Sequence, residues 1–328
     1  MRFSPSRRSH GIGKWALLLG MGCLLAACDR PPAEPLRIAS SPWPGYEPLY
    51  LARDLGYFKT GSVNLFELPS ADITMESFRN RSTDVATLTL DEALELIDDG
   101  TRLRVLLVMD SSNGADAVVA RPEIKSLADL KGKRIALENI PLGMYMLTRL
   151  LEAAGLSRQD VVVVPMAESK HEQYFRQGKA DAVITFEPFR TKLIEAGGHV
   201  VFDSSKIPDE IFDLLLVHED VYQKRREELC GLVAQWYRSL EYMHAQPADA
   251  ASRISKRLGT TERDYRAMVQ GIVVPSREDN QRLLGAPSPA LLAAAAKLGV
   301  VMLREGQLKH PVDAAAAIDP SFQECVRR

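Results

Sequence analysis

Short apolar runs alternate with amphipathic stretches along the chain from Leu36 onward. This alternation is typical of α/β proteins, in which strands and helices follow one another. The first block predicts strands over 36–40, 63–68, 84–88, 103–109 and 116–120, with helices over 46–55, 72–80 and 91–98. The second block predicts strands over 133–137, 160–164, 181–185 and 199–203, with helices over 143–154, 168–177 and 187–196. A further strand is predicted after this block, over 211–217. We therefore expect the α/β fold class.

The last third of the chain has a different pattern, because its apolar residues recur at helical spacing. Leu229, Val233, Trp236 and Leu240 fall on one face of a helix. The pattern predicts helices over 220–245, 247–258, 261–271 and 288–304. A helical C-terminal region should therefore follow the two α/β blocks.

The order of these blocks indicates two lobes between which the chain crosses twice. Turn-rich sequence places the crossings near Arg121-Pro122 and near Ser204–Asp209. Lobe 1 would then comprise residues 36–120 plus 207–328, and lobe 2 residues 121–206. A molecule of this kind has a cleft that can close on a ligand by hinge motion.

The first residues are typical of an export signal. Basic residues end at Lys14, and the apolar run Trp15–Ala27 that follows is too short to span a bilayer. The run ends in Leu-Ala-Ala before Cys28, which resembles the lipobox of bacterial lipoproteins. We expect a signal peptide over 1–27, acylation of Cys28 and a tether over 28–35, with Asp29 favouring the inner membrane. The alternative is an ordinary secretory signal with a chance cysteine.

The charge balance argues against nucleic acid as a partner. Four of the 41 basic residues, and none of the 43 acidic ones, precede Cys28, so the processed chain would be acidic. An acidic chain has no surplus of cations to displace counterions from a phosphate backbone. No Cys-x-x-Cys motif and no metal-ligand spacing of histidines is present, so we expect no metal and no cofactor. Cys230 and Cys325 are either bridged, as export would permit, or unrelated.

Several segments together carry a family resemblance. Ser41-Pro-Trp-Pro-Gly-Tyr-Glu-Pro-Leu-Tyr-Leu-Ala-Arg-Asp-Leu-Gly-Tyr-Phe is the first, and Phe78–Asp91, Asp110–Asp116, Leu127–Arg134 and Phe186-Glu187-Pro188 follow in order. Over roughly 36–220 the chain resembles the nitrate/sulfonate/taurine and thiamine-precursor group of ABC-transporter substrate-binding proteins. The resemblance implies a two-lobed periplasmic-binding-protein fold of type II and no catalysis. It also implies a monomer on the periplasmic side of the cell membrane that delivers a small polar molecule to an ABC permease in the inner membrane.

The predicted ends of the strands indicate where a ligand would bind. In open α/β sheets ligands bind beyond the carboxyl ends of the strands, where loops and helix N-termini meet. The loops at these ends supply the candidate ligand-binding residues Trp43, Tyr46, Thr89, Asp91, Asn113, Gly143, Met144, Tyr145 and Glu187. Several of these residues have a structural alternative. The rings of Trp43 and Tyr46 can pack their loop onto the lobe, and Asp91 can cap a helix. Asn113 can form a turn, and Glu187 can favour a helix dipole without a ligand.

The charge of these loops indicates the ligand class. Acidic residues dominate them, whereas the only cations nearby are Lys170, His171 and Arg190 on the helices that follow; the acidic residues are Asp91, Asp110, Asp116, Glu138 and Glu187. A buried anion such as nitrate needs cationic side chains or several N–H donors. We therefore expect a ligand with an amine, an amidine or several hydroxyl groups, and prefer an aminopyrimidine-like or amino-sulfonate compound over nitrate.

Three functions are consistent with the sequence. The first is the solute-binding lipoprotein of an ABC importer. The second is a ligand-sensing periplasmic lipoprotein that regulates a membrane kinase or cyclase. An enzyme is disfavoured because the chain contains no Gly-x-Ser-x-Gly, His-Glu-x-x-His or Gly-x-x-x-x-Gly-Lys motif.

Overall fold

Two mixed β-sheets form the framework of the protein. The computed structural model describes residues 1–4, 34–285 and 289–325. The first sheet has the strand order β11-β4-β10-β3-β1-β2. Its strands are β1 (Leu36–Ser40), β2 (Val63–Glu67), β3 (Val85–Thr89), β4 (Leu103–Ser112), β10 (Phe212–His218) and β11 (Ile272–Val273). Strand β1 pairs in parallel with β2 and β3, whereas β10 runs antiparallel between β3 and β4.

The second sheet has the strand order β7-β6-β8-β5-β9. Its strands are β5 (Ala117–Ala120), β6 (Arg134–Leu137), β7 (Val162–Pro165), β8 (Ala182–Thr185) and β9 (His199–Asp203). Our first predicted crossing, at Arg121-Pro122, is wrong, because β5 pairs with β8 and β9 rather than with the first sheet. The chain already leaves the first sheet after Ser112, and it returns between Asp203 and Phe212.

Thirteen helices in the described part of the chain cover these sheets. They are α1 (Glu47–Asp54), α2 (Ala71–Arg79), α3 (Leu90–Asp98), α4 (Pro141–Ala154), α5 (His171–Arg176), α6 (Phe189–Glu195), α7 (Glu219–Lys224), α8 (Arg226–Ala245), α9 (Pro247–Leu258), α10 (Glu262–Met268), α11 (Arg277–Leu284), α12 (Ala290–Arg304) and α13 (Phe322–Cys325). Their apolar faces pack on strands that are buried on both sides, as in β10, where Leu214 to Val217 are fully buried. No helix in the described ranges is both long enough and apolar enough to cross a membrane.

The C-terminal region differs from the prediction in two places. The expected helix over 220–245 is broken at Arg225 into α7 and α8. Helix α11 was not predicted, because its sequence is almost entirely polar and shows no apolar period. Its start is set locally, since the hydroxyl of Ser276 accepts the Asp279 N–H and the Asp279 carboxylate accepts the Ser276 N–H.

Specific polar contacts attach the C-terminal helices to the first sheet. Asn280 on α11 forms two hydrogen bonds with the backbone of Val108, of 2.9 and 3.0 Å. Arg257 on α9 forms an ion pair with the buried Glu47. A disulfide joins Cys230 on α8 to Cys325, with 6.0 Å between their Cα atoms. The C-terminal region is therefore an integral part of the lobe that contains the first sheet.

The two crossings between the sheets are bonded to each other. The hydroxyl oxygens of Ser112 and Ser204 lie 2.8 Å apart, and the Gly114 N–H donates to Ser204 at 2.6 Å. The Asn113 N–H donates to the carbonyl of Gly271, at 2.8 Å. A Cβ at Gly271 would lie 2.5 Å from the Ala115 nitrogen, so only glycine permits this approach. The junction between the two sheets thus contains three chain segments rather than two.

Candidate ligand-binding cleft

A pocket lies between the two sheets, and the space within it, including the part open to solvent, is about 370 Å³. Small-molecule sites occur preferentially in clefts of this kind, between two lobes. The first sheet and its loops contribute Ser41, Pro42, Trp43, Tyr46, Ala71, Thr89, Glu92 and Asp213, whereas Asp116, Ile140, Leu142 and Phe186 come from the crossing and the second sheet. The pocket therefore has a wall in each lobe, and none of the described residues that line it is Lys, Arg or His.

One row of residues across the first sheet forms the base of the pocket. Asp213 on β10 lies opposite Thr89 on β3 and opposite Asp110 on β4. Because opposite residues in antiparallel strands have adjacent side chains, the register brings two carboxyl groups together. Asp213 lines the pocket, and the fully buried Asp110 lies beside it.

Two aromatic side chains from the loop after β1 cover this acidic pair. The indole N–H of Trp43 donates to Asp110 Oδ2 at 3.1 Å, and the Tyr46 hydroxyl donates to Asp213 Oδ1. A Cβ on Gly45 would collide with Asp110 Oδ2 and with the Trp43 indole nitrogen. Glycine at position 45 is therefore what allows the indole to reach the carboxyl group.

An aromatic contact joins the two lobes across the pocket. The rings of Trp43 and Phe186 meet edge to face, with centroids 6.1 Å apart. This is a favourable geometry for an aromatic pair. Phe186 follows β8 and precedes a cis Glu187-Pro188 peptide bond. Trp43 and Phe186 thus form a contact that has to break if the lobes separate.

Burial gives the carboxyl groups of the pocket unusual affinities for protons. It raises the pKa of Asp110 and of Asp116 to about 7. Burial, and then the charge of Asp91, raises the pKa of Glu92 to about 8. For Asp213, burial and the neighbouring Asp110 raise the pKa well above its ordinary value. Near neutral pH this group of acids is therefore partly protonated and retains negative charge.

Some of the predicted site residues line the pocket and others do not. Trp43, Tyr46 and Thr89 do. Asp91 is buried next to the pocket, where burial raises its pKa to about 6, and its Oδ2 has no partner in the described part of the chain. Asn113 is exposed in the first crossing and does not line the pocket, contrary to our expectation. The structure favours the alternative interpretation, in which Asn113 forms a turn and does not contact the ligand.

The predicted residues after the second-sheet strands have structural contacts instead. Gly143 packs against the carbonyl of Glu138, and Met144 is half-buried. The Tyr145 hydroxyl donates to Glu210 at 2.7 Å. Glu187 is fully buried, forms an ion pair with Arg190 and accepts the Thr191 N–H. None of these four lines the described pocket, where Ile140, Leu142 and Phe186 lie instead.

Sequence reasoning missed several lining residues. Glu92, Asp213 and Phe186 are the ones whose side chains bring charge or an aromatic ring to the pocket. Asp213 had a detectable signal, because it is the only acid in the otherwise apolar run from Ile211 to Val217. A carboxyl group inside such a strand is buried at a cost that a ligand or a partner must offset.

Two of the predictions from the sequence concern cysteines, and a third concerns metals. Cys28 lies outside the described residues, and Cys230 and Cys325 are bonded as stated above. No group of three or more His, Cys, Asp or Glu side chains among the described residues is arranged to hold a metal ion.

The comparison with family models decides the classification. The model of the NMT1-like family matches residues 29–259. The chain belongs to the NMT1-like family. This confirms the resemblance to ABC-transporter substrate-binding proteins that the sequence motifs indicated.

Individual relatives and solved structures are more distant. A relative from Escherichia coli (strain K12), named for binding aliphatic sulfonates, is 22% identical over 142 residues, which are 43% of this chain and 44% of the relative. The chain spans about half the length of the curated relatives it matches. The alkanesulfonate-binding protein SsuA from Xanthomonas axonopodis pv. citri, bound to MOPS, superimposes with a TM-score of 0.74 at 17% identity, covering 88% of this chain and 99% of that one.

The same fold also occurs in an enzyme. The desulfurization enzyme DSZB, as a mutant in complex with biphenyl-2-sulfinic acid, superimposes with a TM-score of 0.66 at 16% identity, covering 89% of this chain and 99% of that one. These likenesses confirm the two-sheet periplasmic-binding-protein fold with its helical C-terminal part. At such identities they concern the fold alone, because one fold can serve several functions.

Proposed function

We propose that this protein is the solute-binding component of an ABC importer and that its cleft binds a small molecule with a cationic nitrogen. Amines and amidines belong to this class, and an aminopyrimidine joins it when its ring nitrogen accepts a proton from the buried acids. The family supports the importer role, and the acidic pocket supports the ligand class. The protein performs no chemistry on the ligand in this proposal and passes it to a permease in the inner membrane.

The buried pair of Asp110 and Asp213 carries the proposal. Two like charges on directly opposite residues destabilise a sheet, and burial adds the cost of lost hydration. If the pair holds one proton, it keeps one negative charge. A cationic N–H group in the pocket would form charge-assisted hydrogen bonds with that charge, which are among the strongest in proteins.

The same carboxyl groups oppose a sulfonate. The sulfonate-binding relatives bind an anion, whereas here Glu92, Asp116 and Asp213 line the pocket. A sulfonate group among them would require all three to be protonated or an added cation. A flat aminopyrimidine would avoid this conflict and would place its ring against Trp43 and Phe186, with its amino group toward the acids.

Ligand capture then follows from closure of the two lobes. Trp43 belongs to one wall and Phe186 to the other, so a ligand that touches both side chains contacts both lobes only when the cleft is closed. A ligand shifts such an equilibrium by its difference in affinity for the closed and open forms. The Ser112–Ser204 contact at the crossings is the place about which the lobes would rotate.

We further propose that the protein is a monomer held by lipid on the periplasmic side of the inner membrane. Cys28, at the end of the lipobox-like segment, would carry the acyl chains and become the new N-terminus when residues 1–27 are removed. Two acyl chains hold a protein on a bilayer far better than one. With Cys28→Ser we expect labelled palmitate to be absent from the protein and the protein to leave the membrane fraction. A labelled Cys28→Ser protein would refute the anchor.

Thermal unfolding with a ligand panel tests the ligand class. The panel contains alkylamines, benzamidine and aminopyrimidines on one side and alkanesulfonates and nitrate, which have no cationic nitrogen, on the other. A ligand at 100 times its dissociation constant adds about 2.7 kcal/mol to the free energy of unfolding. We expect midpoint shifts with the cationic compounds only.

A pair of matched variants assigns the shifts to the pocket. Asp213→Asn removes the carboxyl charge at the base of the pocket, and Asp54→Asn makes the same change at an exposed position of the same lobe. We expect Asp213→Asn to weaken amine binding by about 10- to 100-fold, the range for a hydrogen bond to a charged group, and Asp54→Asn to have no effect. Shifts with sulfonates alone, retained in Asp213→Asn, would overturn the proposal.

A further inference from the structure

A second pair of buried carboxyl groups lies at the second sheet. Glu138 directly follows β6, and Glu168 follows β7. Because β6 and β7 are parallel neighbours, their carboxyl ends lie at the same edge of the sheet and bring the two side chains together. Both residues are buried, Glu168 with only 1% of its surface exposed.

Three of the four oxygens of this pair receive no hydrogen bond among the described residues. No N–H or hydroxyl group in the described part of the chain donates to either oxygen of Glu168 or to Oε2 of Glu138. The two carboxyls are close enough to share a proton, and burial together with the charge of Glu138 raises the pKa of Glu168 to about 10. A pair with one shared proton still carries one uncompensated buried charge.

The position of the pair connects it to the pocket. Ala71 and Ile140 line the pocket, and each is within two residues of an acid of this second group, Asp72 and Glu138 respectively. Asp72 is exposed on the first-sheet side of the cleft and interacts electrostatically with both Glu138 and Glu168. Glu92, which lines the pocket, interacts with the same two carboxyls. The pair therefore interacts with one acid that lines the pocket, Glu92, and with one acid of the other lobe, Asp72.

We propose that Glu138 and Glu168, with Asp72 on the opposite lobe, form a second cation subsite, so that the ligand carries two cationic nitrogen groups. The first group binds at Asp213, and the second at the Glu138–Glu168 pair. This inference rests on the proposed function and deepens it, because it narrows the ligand class from monocations to elongated dications such as diamines. Binding of the second group would also link the lobes, since Asp72 lies on the lobe of the first sheet and Glu168 on the lobe of the second.

A comparison of diamines with monoamines tests the subsite. The probes are the α,ω-diamines from 1,3-diaminopropane to 1,6-diaminohexane and the monoamines of equal length, measured by calorimetry on the purified protein. The variant is Glu168→Gln, which keeps the side-chain shape. The control is Glu172→Gln, the same change on α5 at a partly exposed residue paired with Arg176.

We expect at least one diamine to bind tenfold or more tightly than its monoamine. Glu168→Gln should remove this preference and leave monoamine affinity within about twofold, whereas Glu172→Gln should change neither. Absence of a diamine preference, or a preference that Glu168→Gln retains, overturns the second subsite. If monoamines bind and Asp213→Asn weakens them, the proposed function stands even then; if no amine binds, both proposals fail.

Discussion

Asp110 and Asp213 are directly opposite each other on the antiparallel strands β4 and β10, and both are buried. Each has one aromatic partner from the loop after β1, because Trp43 donates to Asp110 and Tyr46 donates to Asp213. These two neutral donors compensate the carboxyl groups only in part. The free energy of unfolding of the ligand-free protein should therefore depend on whether the pair holds a proton. Ligand affinity should depend on the negative charge that the pair retains.

The first prediction concerns the stability of the ligand-free protein against pH. Burial raises the pKa of Asp110 and Asp116 from 3.8 to about 7, and that of Glu92 from 4.5 to about 8. The folded chain therefore binds protons more tightly than the unfolded chain. The contribution of these groups to the free energy of unfolding is fully present below about pH 4 and is lost as the pH rises through 7 to 8. Burial lowers the pKa of His171 from 6.5 to about 4. The contribution of His171 to the free energy of unfolding is therefore present above pH 6.5 and is lost as the pH falls through 4.

Urea unfolding at pH 6.5 and pH 8.5 checks this prediction. We expect the free energy of unfolding to fall by more than about 1.4 kcal/mol, the equivalent of one pKa unit. Asp110→Asn should reduce the fall, because it removes one titrating group and lowers the repulsion on Asp213. A free energy that is equal at the two pH values would contradict the raised pKa values.

A second prediction concerns protons released on ligand binding. A cationic ligand stabilises the ionised carboxylates, so its binding should expel protons from the acids of the pocket. The dissociation constant of an amine or amidine should therefore decrease between pH 6 and pH 8. Calorimetry in two buffers of different ionisation enthalpy measures the released protons directly. Proton uptake, or affinity that increases toward low pH, would favour an anionic ligand.

The third prediction separates two functions of Trp43. Trp43→Phe keeps a ring near Phe186 but loses the N–H that donates to Asp110, whereas Trp43→Ala loses both. If the ring contacts the ligand, we expect Trp43→Ala to weaken binding by about 10- to 100-fold and Trp43→Phe to weaken it less. Phe66→Ala, at an exposed aromatic residue on β2, is the control. Normal ligand affinity in Trp43→Ala would remove Trp43 from the site.

The fourth prediction uses Gly45. A methyl group at this position collides with Asp110 and Trp43, so Gly45→Ala should displace the loop over the pocket. We expect a loss of about 1–3 kcal/mol in the free energy of unfolding, as for overpacked sites, together with weaker ligand binding. Gly231→Ala on α8 is the matched control, because a Cβ there meets no atom within 4 Å. The control should gain about 1 kcal/mol from helix propensity. A higher free energy of unfolding in both variants would show that the loop can accommodate a methyl group at position 45.

The fifth prediction concerns the disulfide between Cys230 and Cys325. The bond joins residues 95 positions apart and attaches the last described helix to α8. Replacing both cysteines by serine should lower the free energy of unfolding by about 2–5 kcal/mol. Ligand affinity should not change, because neither cysteine lines the pocket. Equal unfolding curves for the wild-type protein with and without a reducing agent would show that the bond contributes no stability.

The fold was largely predictable from the hydrophobic pattern. Nearly all strands of both sheets lie within a few residues of their predicted positions, because buried strands such as β10 are continuous apolar runs. The short strand β11 and the polar helix α11 escaped prediction. Their formation depends on contacts with β4, through strand pairing and through Asn280.

The candidate site was only partly predictable. The Trp43 loop and Thr89 follow from strand ends, which are visible in the sequence. The assignment of β5 to a sheet depends instead on pairing between residues that are far apart in the chain. The same is true of the meeting of Asp213 with Asp110 and of Glu138 with Glu168.

The hydrophobic pattern, the motifs and the composition were enough to predict the family, the α/β class with its helical C-terminal region, and the acidic character of the candidate cleft. Local periodicity and composition are properties of short segments, so they can be recognised before the chain folds. Which acids are neighbours, which aromatic rings face each other and where the lobes are joined became visible only in the folded chain. Strand register and the two crossings set these distances, and both are determined by the packing of the whole chain.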